Sequence, residues 1–195
     1  NQAKIPIIAG DIIPEDYPSL AHYDQLLDEI QSAVKVLDSE DTLQAPFLNS
    51  RGAIVRAERG SIEVRLMDVQ ECPRADLAYS HFLWHCIFLL AEEAPFHHRL
   101  ETISQESLIS LYNRSQKDAE RTVIFENDVL DFFDLQKETT IAELWKDLAG
   151  KLEEVMLPGF WTDLEELLNR GTLASQILKA LQTSPDHNLL HDTYK

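Results

Sequence analysis

Glycine and cysteine are scarce in this chain, and each scarcity excludes a class of site. There are 6 glycines in 195 residues, and neither a Walker A motif nor a G-x-G-x-x-G motif occurs, which excludes the usual glycine-rich phosphate loops. The two cysteines, Cys72 and Cys86, lack the spacing of a zinc or thioredoxin site. We interpret them as reduced thiols, which are typical of a cytoplasmic protein.

Basic residues and long apolar runs are scarce as well. Lys and Arg number 17 against 34 Asp and Glu, a formal net charge of −17. Nucleic acids and anionic membranes are bound through basic patches, so this balance argues against both as partners. The most apolar stretch, residues 82–91, is interrupted by His85 and is too short to span a bilayer. We expect a cytoplasmic protein without a signal peptide, since a basic region followed by an apolar run does not open the sequence.

The most informative positions lie in two extended runs on either side of Arg59-Gly60. The second run, residues 61–68, alternates with a period of two, which places Glu63 and Arg65 on one face and its apolar residues on the other. A two-residue loop that ends in glycine is a hairpin signal. The pattern therefore predicts an antiparallel pair of strands with charged residues on one side.

The predicted hairpin also predicts a charged cluster. With Arg59-Gly60 as the whole loop, Arg56 lies opposite Glu63 and Glu58 lies opposite Ser61, and opposed side chains share a face. Two interpretations stay open on spacing alone. Charges on a half-buried sheet are costly unless they are paired or hold a metal or a ligand, which favours a site. The alternative is a solvent-facing strand surface with structural salt bridges.

The residues around this cluster carry a family resemblance. Three segments are concerned: residues 49–56 (Asn-Ser-Arg-Gly-Ala-Ile-Val-Arg), residues 60–73 with their Ile-Glu-Val-Arg-x-x-Asp core, and residues 8–15 (Ile-Ala-Gly-Asp-Ile-Ile-Pro-Glu). Together with the helix that opens near Ala75, they resemble the glutamate–cysteine ligase and carboxylate–amine ligase family. That family shares its catalytic sheet with glutamine synthetase. The resemblance is specific over residues 1–80 and loose beyond them.

The resemblance implies an ATP-dependent ligase that contains Mg²⁺ and acts in glutathione biosynthesis. Such enzymes phosphorylate a carboxylate of a glutamate-like acid, and an amine such as cysteine then attacks the acyl phosphate. Carried over by position, Glu63 matches the metal ligand, Arg65 the arginine that holds substrate carboxylate or phosphate, and Arg56 an arginine on the neighbouring strand that meets the phosphates. Planar guanidinium groups suit both anions.

Three further acidic residues are candidates for the same site. Glu58 belongs to the predicted cluster. Asp68 points to the opposite face of a regular strand, which favours a structural or capping role. Asp11 follows Gly10 in an apolar setting, and a catalytic role and a turn-forming role are both open for it.

Family members are much longer than this chain, and most strands of their catalytic sheet precede the segment seen here. We therefore expect the C-terminal portion of a ligase, inactive by itself, whose partners are its small-molecule substrates and either a missing N-terminal half or further copies of the chain. The competing hypothesis is a noncatalytic helical interaction domain, and a third is a regulatory paralogue that kept the sheet without its chemistry.

The predicted fold class is α+β, mostly helical, with a short antiparallel hairpin that belongs to a glutamine synthetase-like sheet. Residues 1–73 form the sheet region and residues 74–195 a helical region packed on it, within one structural domain. Apolar periodicity and caps predict a set of helices, while residues 123–135 fit either a strand or a helix. The predicted helices are 17–37, 76–93, 104–120, 140–156, 160–169 and 172–182.

His81 and His85 are four residues apart in the apolar helix, a spacing that can bind a metal. No third ligand follows at a suitable distance, so we favour packed histidines joined by hydrogen bonds. The three tryptophans, Trp84, Trp145 and Trp161, occupy amphipathic positions and are predicted to lie in the core.

Overall fold

The computed structural model describes residues 6–183 except 39, 41, 93–95, 97 and 98. Most of these residues are helical, and the strands form two short antiparallel pairs, which confirms the mostly helical α+β class. The chain divides into two compact units between Asp68 and Val69. The sequence Ser184-Pro185-Asp186 predicts the start of a last segment, and this segment lies outside the described residues.

The first unit contains three helices and one strand pair: α1 (Pro6–Ala9), α2 (Leu20–Lys35), α3 (Ala45–Leu48), β1 (Ala53–Arg56) and β2 (Ser61–Val64). Helix α2 buries one stripe of side chains at helical spacing, as the periodicity predicts. The apolar spacing predicts a buried stripe of five residues: Leu20, Tyr23, Leu27, Ile30 and Val34. In the structure Leu26 is buried as well, Leu27 is only partly buried and Leu20 is exposed. The buried residues of α2 are Tyr23, Leu26, Ile30 and Val34.

The hairpin forms, but its connection is longer than predicted. Residues 57–59 make a turn of 3₁₀ helix and Gly60 follows with φ of +59°, a left-handed conformation that favours glycine. The loop thus has four residues, and Arg56 lies opposite Ser61 while Ile54 lies opposite Glu63. The predicted pairing of Arg56 with Glu63 is wrong by two residues. Because side chains alternate with a period of two, a shift of two leaves Arg56 and Glu63 on the same face.

The second unit is built around α4 (Pro73–Glu92), whose inner side packs on the core of that unit. The remaining elements are α5 (Gln105–Asp118), β3 (Val123–Ile124), α6 (Asn127–Phe132), β4 (Thr139–Thr140), α7 (Ile141–Leu152), α8 (Pro158–Arg170) and α9 (Leu173–Thr183). The segment that fits both strand and helix contains both, since β3 pairs with β4 and α6 follows. None of the helices in the described part of the chain combines the length and the apolar character needed to cross a membrane.

Capping residues determine where two of these helices begin. The hydroxyl of Ser104 accepts a hydrogen bond from the Ser107 amide at 3.1 Å, at the start of α5. The Thr140 hydroxyl accepts from the Glu143 amide at 3.2 Å, and Glu143 in turn accepts from the Thr140 amide at 2.8 Å, which completes a capping box. Both predicted N-termini are confirmed. Pro158 opens α8, because proline is tolerated at the first position of a helix.

The histidine and tryptophan predictions have different outcomes. The Nε2 atoms of His81 and His85 lie 3.3 Å apart, and Nε2 of His81 accepts a hydrogen bond from the Leu157 amide, as expected of packed histidines. Trp161 packs against the core. Trp84 is 59 % exposed, so its predicted core position is wrong, and Trp145 is only partly covered. Helix α4 is apolar on both sides, and the periodicity of such a helix does not single out the buried side.

Candidate functional site

Three charged residues meet on one face of the β1–β2 pair. Nε of Arg56 donates to Oε2 of Glu63 at 2.7 Å, and Nε of Arg65 donates to Oε1 of the same carboxylate at 2.9 Å. We call Arg56, Glu63 and Arg65 the strand trio. The hydrogen bonds from Arg56 and then Arg65 lower the pKa of Glu63 below its ordinary value. The trio therefore carries one negative and two positive charges at neutral pH.

The charged face of the hairpin is its more buried face. The Arg56 side chain is 11 % exposed and that of Arg65 28 %, whereas Glu63 is 39 % exposed. Ile54, on the same face, is buried, and the guanidinium of Arg56 lies 5.7 Å from the centre of the Phe47 ring, within range of a cation–π contact. The guanidinium groups of Arg56 and Arg65 are thus less exposed than the carboxylate of Glu63. The trio as a whole carries one net positive charge, and part of it is shielded from solvent.

A second ion pair lies beside the trio, and sequence reasoning missed it. The Arg51 side chain is 3 % exposed, and its Nε and Nη2 donate to the two carboxylate oxygens of Glu15, each at 2.5 Å. This is the bidentate geometry in which arginine binds carboxylate most strongly. Mainly through these hydrogen bonds, Arg51 lowers the pKa of Glu15 to about 2.

Tyr17 and Asn49 extend this ion pair. The Tyr17 hydroxyl donates to Oε2 of Glu15 at 2.8 Å, and burial, assisted by this bond, raises the pKa of Tyr17 to about 12. Oδ1 of Asn49 accepts from the Arg51 amide at 3.2 Å and from Nη1 of Arg51 at 3.3 Å. The main-chain oxygen of Asn49 accepts from Nη1 of Arg65 at 2.5 Å. Hydrogen bonds thus run without a break from Tyr17 to the strand trio.

Two glycines give Arg51 its place. A Cβ on Gly10 would lie 2.4 Å from Cζ of Arg51, and Gly10 has φ of +54°. A Cβ on Gly52 would lie 2.5 Å from the Ile12 carbonyl oxygen. The backbone at Gly10 approaches the Arg51 guanidinium, and the backbone at Gly52 approaches the segment after α1, too closely for any side chain at either position. Both glycines fall within the segments that carry the family resemblance, which was the available signal for this pair.

The three further candidates are exposed in the structure. Glu58 is in the 3₁₀ turn, where it is exposed and forms a 3.7 Å ion pair with Arg59. Its predicted place in the cluster is wrong, because the two extra loop residues remove it from the strand. Asp11 follows α1 and Asp68 follows β2, and both are exposed.

The residues present do not by themselves form a magnesium site. Across the described part of the chain, no three His, Cys, Asp or Glu side chains are grouped closely enough to hold a metal ion. Glu63 is the single carboxylate of the trio, and both of its oxygens accept hydrogen bonds from arginine. Mg²⁺ takes six oxygen ligands, of which waters and substrate phosphates usually supply most. Glu63 could supply one of the protein ligands only by exchanging an arginine for the metal.

Comparison with known proteins finds a similarity over about half of the chain. An uncharacterized protein of Archaeoglobus fulgidus is 36 % identical over 95 residues, which make up 49 % of this chain and 26 % of that protein. The chain thus spans about a quarter of the length of the relative that it matches. No family model matches the sequence, and no solved structure matches it.

Proposed function

We propose that this chain is the C-terminal portion of a cytoplasmic, ATP-dependent carboxylate–amine ligase of the glutamate–cysteine ligase type. The observation that carries the proposal is the strand trio, in which two recessed arginines flank one carboxylate on a single face of an antiparallel strand pair. These are the residues that the family resemblance assigns to the site. The proposal requires these three side chains to lie together. A helix over these residues, or side chains on opposite faces of the strands, would have ruled it out.

The proposed reaction joins a glutamate-like acid to an amine such as cysteine. The terminal phosphoryl group of ATP passes to the acid's carboxylate, the amine nitrogen attacks the resulting acyl carbon, and inorganic phosphate leaves. Negative charge concentrates on the phosphoryl oxygens during transfer, and fixed cationic donors stabilise it. Arg65 would bind the substrate carboxylate or the phosphoryl group, and Arg56 would meet the phosphates from the neighbouring strand.

Glu63 has two roles in this proposal. In the structure it orients both guanidinium groups. The resemblance also makes it a ligand of Mg²⁺, which in such ligases neutralises phosphate charge. The remaining ligands would be water, the phosphates of ATP and carboxylates of a longer protein, which would also supply the nucleotide pocket, as the size of the archaeal relative allows.

The small size of the sheet also supports a longer protein. Among the described residues, β1 and β2 pair only with each other. A lone two-stranded pair is marginally stable, and strand edges accept further strands. Ile62, on the outward face of β2, is largely exposed. In a larger sheet, neighbouring strands and a covering layer would bury both the edge and this apolar side chain.

The experiment is an assay of the complete reading frame to which this chain belongs. Phosphate release from ATP is measured with glutamate and a panel of amines, and the amide product is identified by mass spectrometry. Arg65→Lys should reduce turnover by at least about a hundredfold, because lysine cannot reproduce the bidentate geometry. Arg59→Lys is the matched control, since Arg59 is an exposed arginine of the same hairpin. Wild-type rates for Arg65→Lys, or no amide from the wild type with any amine, would refute the proposal.

A second candidate, the noncatalytic interaction domain, is favoured by the outer side of α4. Leu77, Trp84 and Phe88 are exposed there at helical spacing, and the last two rings stack with centres 5.9 Å apart. The occupant that this candidate predicts is a second copy of the chain. Light scattering should then give the mass of two chains, reduced to one by Trp84→Ser and unchanged by Val155→Ser, another exposed apolar position in the second unit. A single-chain mass at every concentration would exclude it.

A further inference from the structure

Asn49 is buried and makes hydrogen bonds to three parts of the first unit. Its Nδ2 donates to the Tyr23 hydroxyl of α2 at 3.2 Å. Its Oδ1 accepts two hydrogen bonds from Arg51. Its main-chain oxygen accepts from Nη1 of Arg65. No other residue joins the Glu15–Arg51 pair to the strand trio through described hydrogen bonds.

The orientation of the Asn49 amide follows from its neighbours. Both groups of Arg51 that face it can only donate, so the atom that meets them must be the oxygen. The nitrogen then faces Tyr23, whose hydroxyl also accepts from the Val55 amide at 3.2 Å. Buried groups with matched partners resist rotation, since each broken bond leaves an unsatisfied polar atom. The side chain of Asn49 therefore fixes its own main chain.

That main chain decides where Arg65 can point. Arg65 has two described side-chain anchors, Oε1 of Glu63 and the carbonyl oxygen of Asn49. Glu63 lies two residues away on the same strand and is itself partly exposed. Glu63 is also bound by Nε of Arg56 at 2.7 Å, so it ties Arg65 to the neighbouring strand β1. The Asn49 carbonyl, 16 residues away in sequence, ties Arg65 to the segment before β1 and, through the Asn49 side chain, to α2.

We propose that Asn49 is a positioning residue for Arg65, which holds the guanidinium in the orientation that binds the anionic acid substrate. The inference rests on the proposed ligase function, because Arg65 is there the group that contacts substrate. Asn49 itself contacts no substrate. Its contribution reaches the anion only through Arg65.

The test uses variants of the complete reading frame. Asn49→Ala removes the side-chain anchors and keeps the carbonyl. Tyr23→Phe is a milder change that removes one partner of the amide. Asn49→Asp keeps oxygen acceptors for Arg51 and can accept a hydrogen bond from the Tyr23 hydroxyl. Its side chain should therefore still hold the main chain of residue 49 in place. Ser50→Ala is the matched control, because Ser50 is the exposed next residue and its hydroxyl bonds only to the Leu48 carbonyl.

The kinetic readout separates positioning from a loss of folded enzyme. With Asn49→Ala we expect the KM for the acid to rise about tenfold, because a main chain that is no longer held weakens the charged hydrogen bond between Arg65 and the carbonyl of residue 49, while the KM for the amine stays unchanged. Tyr23→Phe should give a smaller rise, and Asn49→Asp and Ser50→Ala should remain close to wild type. Loss of kcat with unchanged KM in Asn49→Ala and Tyr23→Phe would mean less folded enzyme and would overturn the inference.

A spectroscopic readout keeps the inference independent of the ligase assay. The Nη–Hη NMR signals of Arg65, assigned by their loss in Arg65→Lys, report on the group that donates to the Asn49 carbonyl. They should exchange with water at least about tenfold faster in Asn49→Ala than in Ser50→Ala. Unchanged exchange would show that Asn49 does not hold Arg65. If the wild type makes no amide while the exchange rate changes as expected, the proposed reaction is wrong and the positioning of Arg65 stands.

Discussion

The Glu15–Arg51 ion pair predicts that the first unit loses stability in acid over a defined pH range. The pKa of Glu15 is about 2 in the folded protein against an ordinary 4.5. A carboxyl whose folded pKa is depressed stabilises the fold fully above its unfolded pKa, and the effect disappears as pH falls through the folded one. We therefore expect the contribution of this pair to be complete at pH 7, to decline below pH 4.5, and to be more than half lost at pH 3.

The magnitude follows from the same values. The difference between 4.5 and about 2 corresponds to about 3 kcal/mol at 1.4 kcal/mol per pH unit. The Glu15 side chain is 41 % exposed, so solvent screening reduces this to about 1–2 kcal/mol. Glu15→Gln also leaves the buried Arg51 without its counter-charge. We expect the variant to be less stable than wild type by about 2 kcal/mol at pH 7 and by less than about 1 kcal/mol at pH 3, where protonation weakens the wild-type pair too.

The assay measures the two units separately. Hydrogen exchange followed by mass spectrometry gives the opening free energy of the segments around Glu15 and of β1 and β2, after correction for the intrinsic pH dependence of exchange. Trp84, Trp145 and Trp161 all belong to the second unit, so tryptophan fluorescence in urea is its internal reference. Glu58→Gln is the control, because it removes the same charge from an exposed turn. A wild-type-minus-Glu15→Gln difference that is equal at pH 3 and pH 7 would refute the reasoning.

Two further predictions concern glycine and cysteine. Gly10→Ala should lower the free energy of unfolding by about 2–4 kcal/mol and Gly60→Ala by about 1 kcal/mol. Both glycines have positive φ, but only at Gly10 would a Cβ meet Arg51. Equal urea midpoints for the two variants would contradict this. Burial raises the pKa of Cys86 to about 12, whereas Cys72 is exposed. A thiol reagent at pH 8 should therefore modify Cys72 in the native protein and Cys86 only in urea, and rapid reaction of both thiols in the native state would count against the buried assignment.

Local patterns predicted the features that depend on a few neighbouring residues. Ser104 and Thr140 cap helices where their sequence contexts place them, since a cap needs only the amides of the next turn. The alternation of residues 61–68 put Glu63 and Arg65 on one face, because the direction of a strand side chain depends on its position alone. For the same reason Arg56 joined them even though the predicted register was wrong by two residues.

Longer-range features were not predictable in this way. The length of the hairpin loop depended on whether Ala57 and Glu58 continue β1 or begin the turn. The sequence at these two positions is compatible with either conformation. The buried side of α4 was equally open, because the helix is apolar all round and its outer residue Trp84 is as hydrophobic as its inner Phe82. The packing of the other helices of the second unit against α4 determines which of its sides is buried.

The sequence alone determined the long helices, the strand pair, the shared face of the strand trio and, through resemblance, the chemistry that we propose for it. Only the tertiary structure decided which charges have partners. Glu15 and Arg51 are 36 residues apart, and Asn49 and Arg65 are 16 apart. No helical or strand period relates such positions. They meet because folding buries them together, and a buried charge or amide is stable only where the packed chain also supplies its partner.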